Sequence, residues 1–232
     1  MKQIIAMGGG GFSMEPDNPA LDRYILAQAS KPRPKVCFLP TARSESADYV
    51  MQFYAAFAKL ECQPSHLLVF NPPTADLESF IMEKDVIYVG GGNTKSMLAV
   101  WREWRLDAIL RQAWEKGVVL AGVSAGAICW FEQGLTDSVP GAYTALTGMG
   151  YLHGSFSPHF DGEAGRRVVY HRLVASGEMK DGLAADDGAA AHYVDDRLLR
   201  VVTSRPHAAA YAIEHDGDSA RERKLDVVYL GT

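Results

Sequence analysis

One short segment of the chain has the residue types and spacing of a nucleophilic serine. Ser124 stands in the sequence GVSAG, Gly122–Gly126, after the apolar run Val118–Ala121 and before the helix-like stretch Ala125–Phe131. A serine at a sharp turn from strand to helix has a strained backbone, and the N–H groups after it point towards whatever its hydroxyl attacks. The flanking glycines let neighbouring chain pack closely. The pattern therefore predicts a nucleophile elbow at Ser124.

A serine hydroxyl attacks only when a base accepts its proton, and that base needs a partner that fixes its orientation. The chain has 7 histidines that could act as the base. His159 differs from the others because Pro158 precedes it and breaks regular structure, which favours a loop at the edge of a sheet. We therefore predict that His159 is the base, the alternative being a structural or surface histidine.

A second glycine-rich segment could help to stabilise an oxyanion. The sequence GGGNT, Gly90–Thr94, follows the apolar run Val86–Val89 and precedes a helical pattern. Consecutive glycines let the backbone approach a substrate and direct N–H groups into the site. The same residues also fit a tight turn in which Asn93 or Thr94 caps the helix, and both interpretations can hold together.

The first glycine run, Gly8–Gly11, follows an apolar segment and invites comparison with a dinucleotide-binding turn. That motif needs a third glycine where Ser13 stands, and Pro16 and Pro19 interrupt the helix that should follow at once. We expect instead a glycine turn that lines the same cleft as Ser124.

Composition limits the classes of protein to which the chain can belong. It has 232 residues, 47% of them hydrophobic, which suits one domain over residues 1–232. The net charge of −5, without a basic stripe, argues against nucleic acid as a partner. The apolar runs are too short for a membrane span or a signal peptide, so we expect a cytoplasmic protein. The three cysteines are widely spaced, which predicts reduced, mostly buried thiols and no metal site.

Apolar runs and helical spacing alternate along the first half of the chain. The predicted strands there are Gln3–Met7, Val36–Leu39, His66–Phe70, Val86–Val89 and Val118–Ala121. The predicted helices between them are Ala20–Ala29, Tyr49–Leu60, Leu77–Met82, Thr94–Trp101 and Trp104–Trp114. Further short strands are predicted at Gly182–Ala185, Ala189–Val194, Leu198–Val202, Ala209–Glu214 and Leu225–Leu230, after a helical segment at Arg166–Val174.

This alternation predicts an α/β fold with a mostly parallel central sheet and helices on both faces. In such sheets the functional loops lie at the carboxyl ends of the strands, where Ser124 would be placed. The short strands of the last third predict a partly antiparallel C-terminal edge.

Three segments, Gly90–Thr94, Gly122–Ala127 and Ser157–Phe160, together resemble the peptidase E family of serine peptidases, relatives of cyanophycinase. Their order and separations agree with that family, and the resemblance covers nearly the whole chain. It implies a class I glutamine amidotransferase-like fold with serine at the elbow, no cofactor or metal, and a monomer or homodimer that takes a small peptide as substrate.

Carried over residue by residue, the resemblance makes Ser124 the nucleophile and His159 its base, with Gly92 and Ala125 as the oxyanion donors. The third member of the triad falls in Asp186–Gly188, and Asp187 is our choice. Relatives usually carry the longer glutamate there, so the aspartate is a departure. Asp137 is the alternative orienting acid, and it also fits a turn residue that binds backbone N–H groups.

The resemblance implies a substrate that carries an aspartyl group. Similar enzymes cleave dipeptides with N-terminal aspartate or the β-aspartyl-arginine linkage of cyanophycin. A buried substrate carboxylate requires a cation, for which Arg166 and Arg167 are candidates, and Asn93 is a further candidate for substrate binding.

Four other functions remain as alternatives. They are a cyanophycinase-like isoaspartyl peptidase, a non-catalytic or weakly active small-molecule-binding homologue, a glutamine amidotransferase subunit and an α/β-hydrolase esterase. The amidotransferase is disfavoured because Ser124 replaces the required cysteine. The esterase is disfavoured because the chain after the nucleophile is shorter than the order of a distant acid followed by histidine would prefer.

Overall fold

Residues 1–231 are described by a computed structural model in which fourteen strands form two sheets and seven α-helices pack around them. In chain order the strands are β1 (Gln3–Met7), β2 (Lys35–Leu39), β3 (Gln63–His66), β4 (Val86–Val89), β5 (Val119–Val123), β6 (Phe131–Val139), β7 (Ala142–Thr147), β8 (Leu152–Ser157), β9 (Gly182–Ala185), β10 (Ala189–Val194), β11 (Arg197–Thr203), β12 (Ala210–Asp216), β13 (Ser219–Lys224) and β14 (Val227–Tyr229). The helices are α1 (Ala20–Ala27), α2 (Ala47–Phe57), α3 (Leu77–Met82), α4 (Thr94–Glu103), α5 (Leu106–Glu115), α6 (Ala125–Ile128) and α7 (Arg166–Ala175).

The larger sheet has eight strands in the order β14-β11-β10-β1-β5-β4-β2-β3. Strands β1, β5, β4, β2 and β3 run parallel, whereas β10 is antiparallel to both of its neighbours. This arrangement confirms the predicted α/β fold with a mostly parallel sheet and a partly antiparallel C-terminal edge. Because β1, β5 and β4 are neighbours, the three glycine-containing segments that follow them lie side by side.

Helices cover both faces of this sheet because its parallel strands are apolar on both sides. On β1, Ile4 belongs to a core that includes side chains of α3, α4 and α5, while Ile5 belongs to a second core with α1 and α2. Both residues are 0% exposed. The same alternation along β2, β4 and β5 holds the larger sheet between its two helix layers. None of the helices within residues 1–231 is long and apolar enough to cross a membrane.

A second sheet of six strands, in the order β13-β12-β9-β8-β6-β7, was not predicted. The predicted segments Gly182–Ala185 and Ala209–Glu214 contribute to this sheet, as β9 and β12, and not to the edge of the parallel one. Strands β6 to β8 escaped prediction because polar residues and glycines interrupt their apolar pattern. They gain stability from packing in the fold, with Leu152 and Phe156 of β8 buried in the core shared with the larger sheet.

The prediction of a strand at His66–Phe70 was wrong. The strand is Gln63–His66, and the chain leaves the sheet after Leu67 donates to the carbonyl of Phe38. The N–H groups of Val69 and Phe70 then bind the carboxylate of Glu45. Leu67 and Val69 are thus buried without belonging to a strand, whereas Phe70 is exposed; the carboxylate of Glu45 satisfies the backbone that a neighbouring strand would otherwise bind.

The helix that starts at Ala125 is shorter than its apolar pattern suggested. It ends at Ile128, and Phe131 begins β6, where its ring stacks on that of Phe156 with centroids 5.0 Å apart. The carbonyl of Trp130 accepts N–H groups from Tyr151 and Leu152. Tertiary contacts with β8 therefore end the helix after one turn.

A buried carboxyl group lies in the first turn of α1. Asp22 is 1% exposed, and its Oδ1 atom has no hydrogen-bond partner in the described part of the chain. Burial raises the pKa of Asp22 to about 7, with a smaller contribution from the negative charge of Glu15. The folded protein therefore holds a proton that the unfolded chain releases near pH 4.

This difference predicts a pH dependence of stability. Between about pH 4 and pH 7, Asp22 is protonated in the folded protein and ionised in the unfolded chain. Its contribution therefore lowers the free energy of unfolding by about 1.4 kcal/mol for each unit by which the pH rises. In Asp22→Asn this loss is absent, so its unfolding free energy, measured in urea at pH 5 and pH 7, falls less than that of the wild type. The exposed Asp17→Asn serves as the control and follows the wild type. An Asp22→Asn variant with the wild-type pH dependence would contradict the assignment.

Candidate active site

Ser124 lies at a sharp turn between β5 and α6. Its φ of 55° and ψ of −112° depart from those of helix and strand. The turn closes only because glycines flank it: a Cβ atom built on Gly122 would lie 2.0 Å from the carbonyl oxygen of Gly126, and one built on Gly126 would lie 2.3 Å from that of Val89. Ser124 therefore stands at a strained turn from strand to helix, closed by two glycines.

The carboxyl end of β1 binds three segments of the site through successive carbonyl groups. The carbonyl of Met7 accepts the N–H of Ser124 at 3.1 Å, and that of Gly8 accepts the N–H of His159 at 3.2 Å. The carbonyl of Gly9 accepts the N–H of Gly188 at 3.0 Å. The candidate nucleophile, the candidate base and the residue after Asp187 are thus all fixed to one strand end.

The two sheets supply different parts of this arrangement. Ser124 follows β5 of the larger sheet, whereas His159 and Asp187 follow β8 and β9, which are parallel neighbours in the smaller sheet. The N–H of Phe160 donates to the carbonyl of Ala185, which joins the two loops directly. The sequence pattern did not predict β8, the strand that precedes His159.

His159 and Asp187 form a short hydrogen bond. Nδ1 of His159 lies 2.6 Å from Oδ1 of Asp187, and the two side chains are 15% and 14% exposed. The hydrogen bond to His159 holds the pKa of Asp187 below its usual value, with smaller contributions from the charges of Arg205 and Arg166. An ionised Asp187 accepts the proton on Nδ1 and leaves the lone pair of Nε2 available.

Nε2 of His159 and Oγ of Ser124 have no hydrogen-bond partner within residues 1–231. Both atoms are therefore available for proton transfer, and hydrogen bonds between nucleophile and base often tighten only when substrate is bound.

The aspartate at position 187 reaches the histidine because its backbone lies against β1. Gly9 and Asp187 form a β-bridge, and the N–H of Asp187 donates to Oδ1 of Asp161 at 2.8 Å. A Cβ atom on Gly9 would lie 2.0 Å from Oδ1 of Asp187 and 3.0 Å from Nδ1 of His159. Gly9 thus leaves room for the hydrogen bond, and the shorter side chain suffices. The glycine run was expected to line the cleft, but this contact with Asp187 was not foreseen.

The pKa of the adjacent residue, Asp186, is raised, whereas that of Asp187 is lowered. Asp186 is 4% exposed, and burial, together with the charge of Asp161, raises its pKa to about 6. Its Oδ2 accepts the N–H of Ala209 at 2.9 Å. Asp186 therefore anchors the loop to the chain before β12, while Asp187 carries the charge that faces His159.

The alternative acid, Asp137, does not contact the histidine. It is exposed on β6 and has no hydrogen bond or ion pair in the described part of the chain. Of the two candidate acids, the structure brings only Asp187 to Nδ1 of His159.

The glycine turn after β4 packs directly against Ser124. A Cβ atom built on Gly91 would lie 3.4 Å from Cβ and 4.0 Å from Oγ of Ser124. The N–H groups of Gly92 and Ala125 have no hydrogen-bond partner within residues 1–231. Two unpaired donors therefore flank the serine, as an oxyanion site requires.

The side chains considered for substrate binding are engaged elsewhere in the protein. Asn93 caps α4 by accepting the N–H of Ser96 at 2.9 Å, and its amide donates to the carbonyl of Ser138 at 3.0 Å. Asn93 thus performs the capping role that the sequence also allowed. This leaves little of its side chain free for a substrate.

The two arginines are both paired with glutamates. Arg166 is 1% exposed and binds Glu163, and its Nη1 donates to the carbonyl of Leu135. Arg167 forms a two-point ion pair with Glu222, but its side chain is 49% exposed. Arg167 is thus open to solvent, whereas Arg166 is enclosed. Among residues 1–231, no three His, Cys, Asp or Glu side chains are grouped to hold a metal ion.

The contact between Gly9 and Asp187 yields a prediction for Gly9→Ala. The added methyl group displaces Oδ1 of Asp187 from His159, so labelling of Ser124 by a fluorophosphonate slows by at least about tenfold. The control is Gly141→Ala, in an exposed turn: its φ of 82° makes alanine unfavourable for the backbone, but the added Cβ atom meets nothing within 4 Å and lies away from His159 and Asp187. Labelling of Gly9→Ala at the wild-type rate would show that the hydrogen bond is not needed for reactivity.

Replacing each candidate acid by its amide distinguishes their roles. Asp187→Asn cannot hold the tautomer in which Nδ1 carries the proton, and we expect hydrolysis of an activated ester to fall by about 10³- to 10⁴-fold. Asp137→Asn removes an equal charge from an exposed position and leaves the rate unchanged. The reverse pattern would assign the orienting role to Asp137.

The chain matches the model of peptidase family S51 over residues 4–201. It is 57% identical over 231 residues to the uncharacterised peptidase YgaJ of Bacillus subtilis (strain 168), with 100% of both chains covered.

Two solved structures share the fold. A peptidase from an acI-B1 Actinobacterium superposes with a TM-score of 0.74 at 16% identity, covering 98% of this chain and 95% of that one. A putative peptidase E protein from Listeria monocytogenes EGD-e has a TM-score of 0.56 at 18% identity, covering 97% of this chain and 100% of that one. The family match spans most of the chain and agrees with the resemblance that its three motifs predicted. The chain therefore belongs to peptidase family S51.

Proposed function

We propose that the protein is a serine peptidase of the peptidase E type that acts through an acyl-enzyme on Ser124. In this mechanism His159 is the base, Asp187 orients it, and the N–H groups of Gly92 and Ala125 bind the oxyanion. The observation that carries the proposal is the hydrogen bond between His159 and Asp187 at the strand end that also holds Ser124.

The reaction would use the two side-chain atoms that have no hydrogen-bond partner in the described part of the chain, Oγ of Ser124 and Nε2 of His159. Nε2 of His159 takes the proton of Ser124 as Oγ attacks the peptide carbonyl, and the oxyanion accepts hydrogen bonds from the two free N–H groups. His159 then gives its proton to the leaving amine, and the acyl-enzyme forms. A water molecule, deprotonated by the same histidine, hydrolyses this ester and restores Ser124.

Asp187 contributes by its charge and its position. Its lowered pKa keeps it ionised at neutral pH, so it stabilises the imidazolium that forms when His159 accepts the proton. The anchors from Gly9 and Asp161 hold its backbone, so the side chain need not reorganise during the reaction.

For the substrate we propose small peptides, with dipeptides that begin with aspartate first among them. Family membership and the peptidase E resemblance support this class. Its carboxylate would need a cation, and of the two arginines drawn from the sequence Arg167 is the one open to solvent. An incoming carboxylate would then share Arg167 with Glu222.

A labelling experiment tests the nucleophile. A fluorophosphonate labels the wild type, and Ser124→Ala abolishes both labelling and hydrolysis. Ser176→Ala, at the end of α7, retains both and serves as the control. Hydrolysis that persists in Ser124→Ala would contradict the mechanism.

A dipeptide panel tests the substrate class, with Asp-X, isoaspartyl-X and neutral-X members compared by kcat/KM. Preference for Asp-X supports the proposed dipeptidase, whereas preference for isoaspartyl-X indicates a cyanophycinase-like activity. Absence of hydrolysis across the panel, in protein that also resists the fluorophosphonate, would favour a binding homologue.

A further inference from the structure

The turn Gly90–Asn93 has four successive backbone N–H groups, and most of them are already bound. The N–H of Gly90 donates to the carbonyl of Leu39 at 3.1 Å, and that of Asn93 donates to the carbonyl of Ala42 at 2.7 Å. Both acceptors belong to β2 or the turn after it. These two hydrogen bonds fix the ends of the turn, and they do not involve the N–H groups of Gly91 and Gly92 in its middle.

The middle of the turn is held by a side chain. The N–H of Gly91 donates to the hydroxyl oxygen of Tyr49 at 3.0 Å. The N–H of Gly92 then is the remaining donor of the four, and it has no partner within residues 1–231.

We propose that Tyr49 is a positioning residue for the oxyanion site: by binding the N–H of Gly91 it fixes the turn with the N–H of Gly92 directed at the substrate. This inference rests on the proposed function, since it concerns the same serine. Consecutive glycines have little intrinsic preference for one peptide orientation, so without an acceptor the Gly90–Gly91 peptide could rotate. The Gly91–Gly92 peptide is joined to it through the Cα atom of Gly91, so any rotation at Gly91 that Gly90 does not compensate also turns the N–H of Gly92.

The ring of Tyr49 is held firmly enough for this role. The residue is 2% exposed on α2, and its ring meets that of Phe38 edge to face, with centroids 5.0 Å apart. A second ring, Phe12, lies with its centroid 5.6 Å from that of Tyr49. The hydroxyl oxygen is therefore placed by packing and not by its hydrogen bond alone.

The backbone of the turn packs directly against the ring of Tyr49. A Cβ atom built on Gly90 would lie 2.6 Å from Cε1 of Tyr49, so the backbone rests directly on the ring. On the opposite side Gly91 meets Ser124. Burial raises the pKa of Tyr49, so the hydroxyl stays neutral and accepts the Gly91 N–H through a lone pair.

The same helix provides a matched control. Tyr54, also on α2, is partly buried, and its hydroxyl forms a hydrogen bond of 2.9 Å with Nδ1 of His66. Tyr54→Phe removes one hydroxyl and one hydrogen bond from the same helix, as Tyr49→Phe does, but far from the glycine turn.

The test compares Tyr49→Phe and Tyr54→Phe with the wild type, using the best dipeptide from the panel. For Tyr49→Phe we expect kcat to fall by about 10- to 100-fold, since a misdirected oxyanion donor loses part of its effect, while KM changes less than about twofold. A peptide aldehyde, which forms a tetrahedral adduct on Ser124, should bind more weakly by a similar factor. Tyr54→Phe should leave kcat and the aldehyde affinity unchanged.

Urea unfolding of both variants separates this role from a general loss of stability. Equal stability of the two variants with a loss of kcat in Tyr49→Phe alone supports the proposal. A wild-type kcat and aldehyde affinity in Tyr49→Phe would overturn it while leaving the peptidase function intact. If the wild type hydrolyses no peptide, the proposed function fails, and the inference fails with it.

Discussion

The carboxyl end of β1 is the constraint on which the candidate site depends. Carbonyl groups of Met7, Gly8 and Gly9 accept N–H groups from three separate loops, which bring Ser124, His159 and the segment around Asp187 to one place. Met7 pairs with Val123 of β5, next to Ser124, whereas the N–H of Gly8 donates to the carbonyl of Ala189 at the start of β10. The strand end thus lies between β5 and β10 and binds loops that follow strands of both sheets. Any shift of this strand end moves all three.

The two sheets meet at this strand end, and each positions different residues of the candidate site. The larger sheet carries the serine after β5, while β8 and β9 of the smaller sheet carry the histidine and the aspartate. The core shared by the two sheets, which includes Leu152 and Phe156, fixes their relative position. A packed interior transmits displacements, so the distance from Ser124 to His159 depends on the whole interface between the sheets.

The arrangement stores backbone strain at two residues. Ser124 and His159 both have positive φ, 55° and 50°, which costs about 1–3 kcal/mol for a residue other than glycine. Hydrogen bonds from both N–H groups to β1 hold these conformations. Gly9 lets the backbone of Asp187 lie close to the same strand end, so the short aspartate side chain reaches Nδ1 of His159.

The parallel sheet, most of its helices and the sharp turn at Ser124 follow from the sequence alone, because apolar periodicity and glycine spacing are local signals that burial on a sheet imposes. The family also followed from motifs read along the chain. Three contacts emerge only in the folded protein: Asp187 and not Asp137 meets His159, Arg166 is enclosed, and the hydroxyl of Tyr49 binds the glycine turn. The second sheet was likewise not predicted, since polar residues and glycines interrupt the pattern of β6 to β8, and the pairing of β8 with β9 joins segments on either side of α7. These features arise from contacts between segments far apart in the chain, which spacing cannot encode.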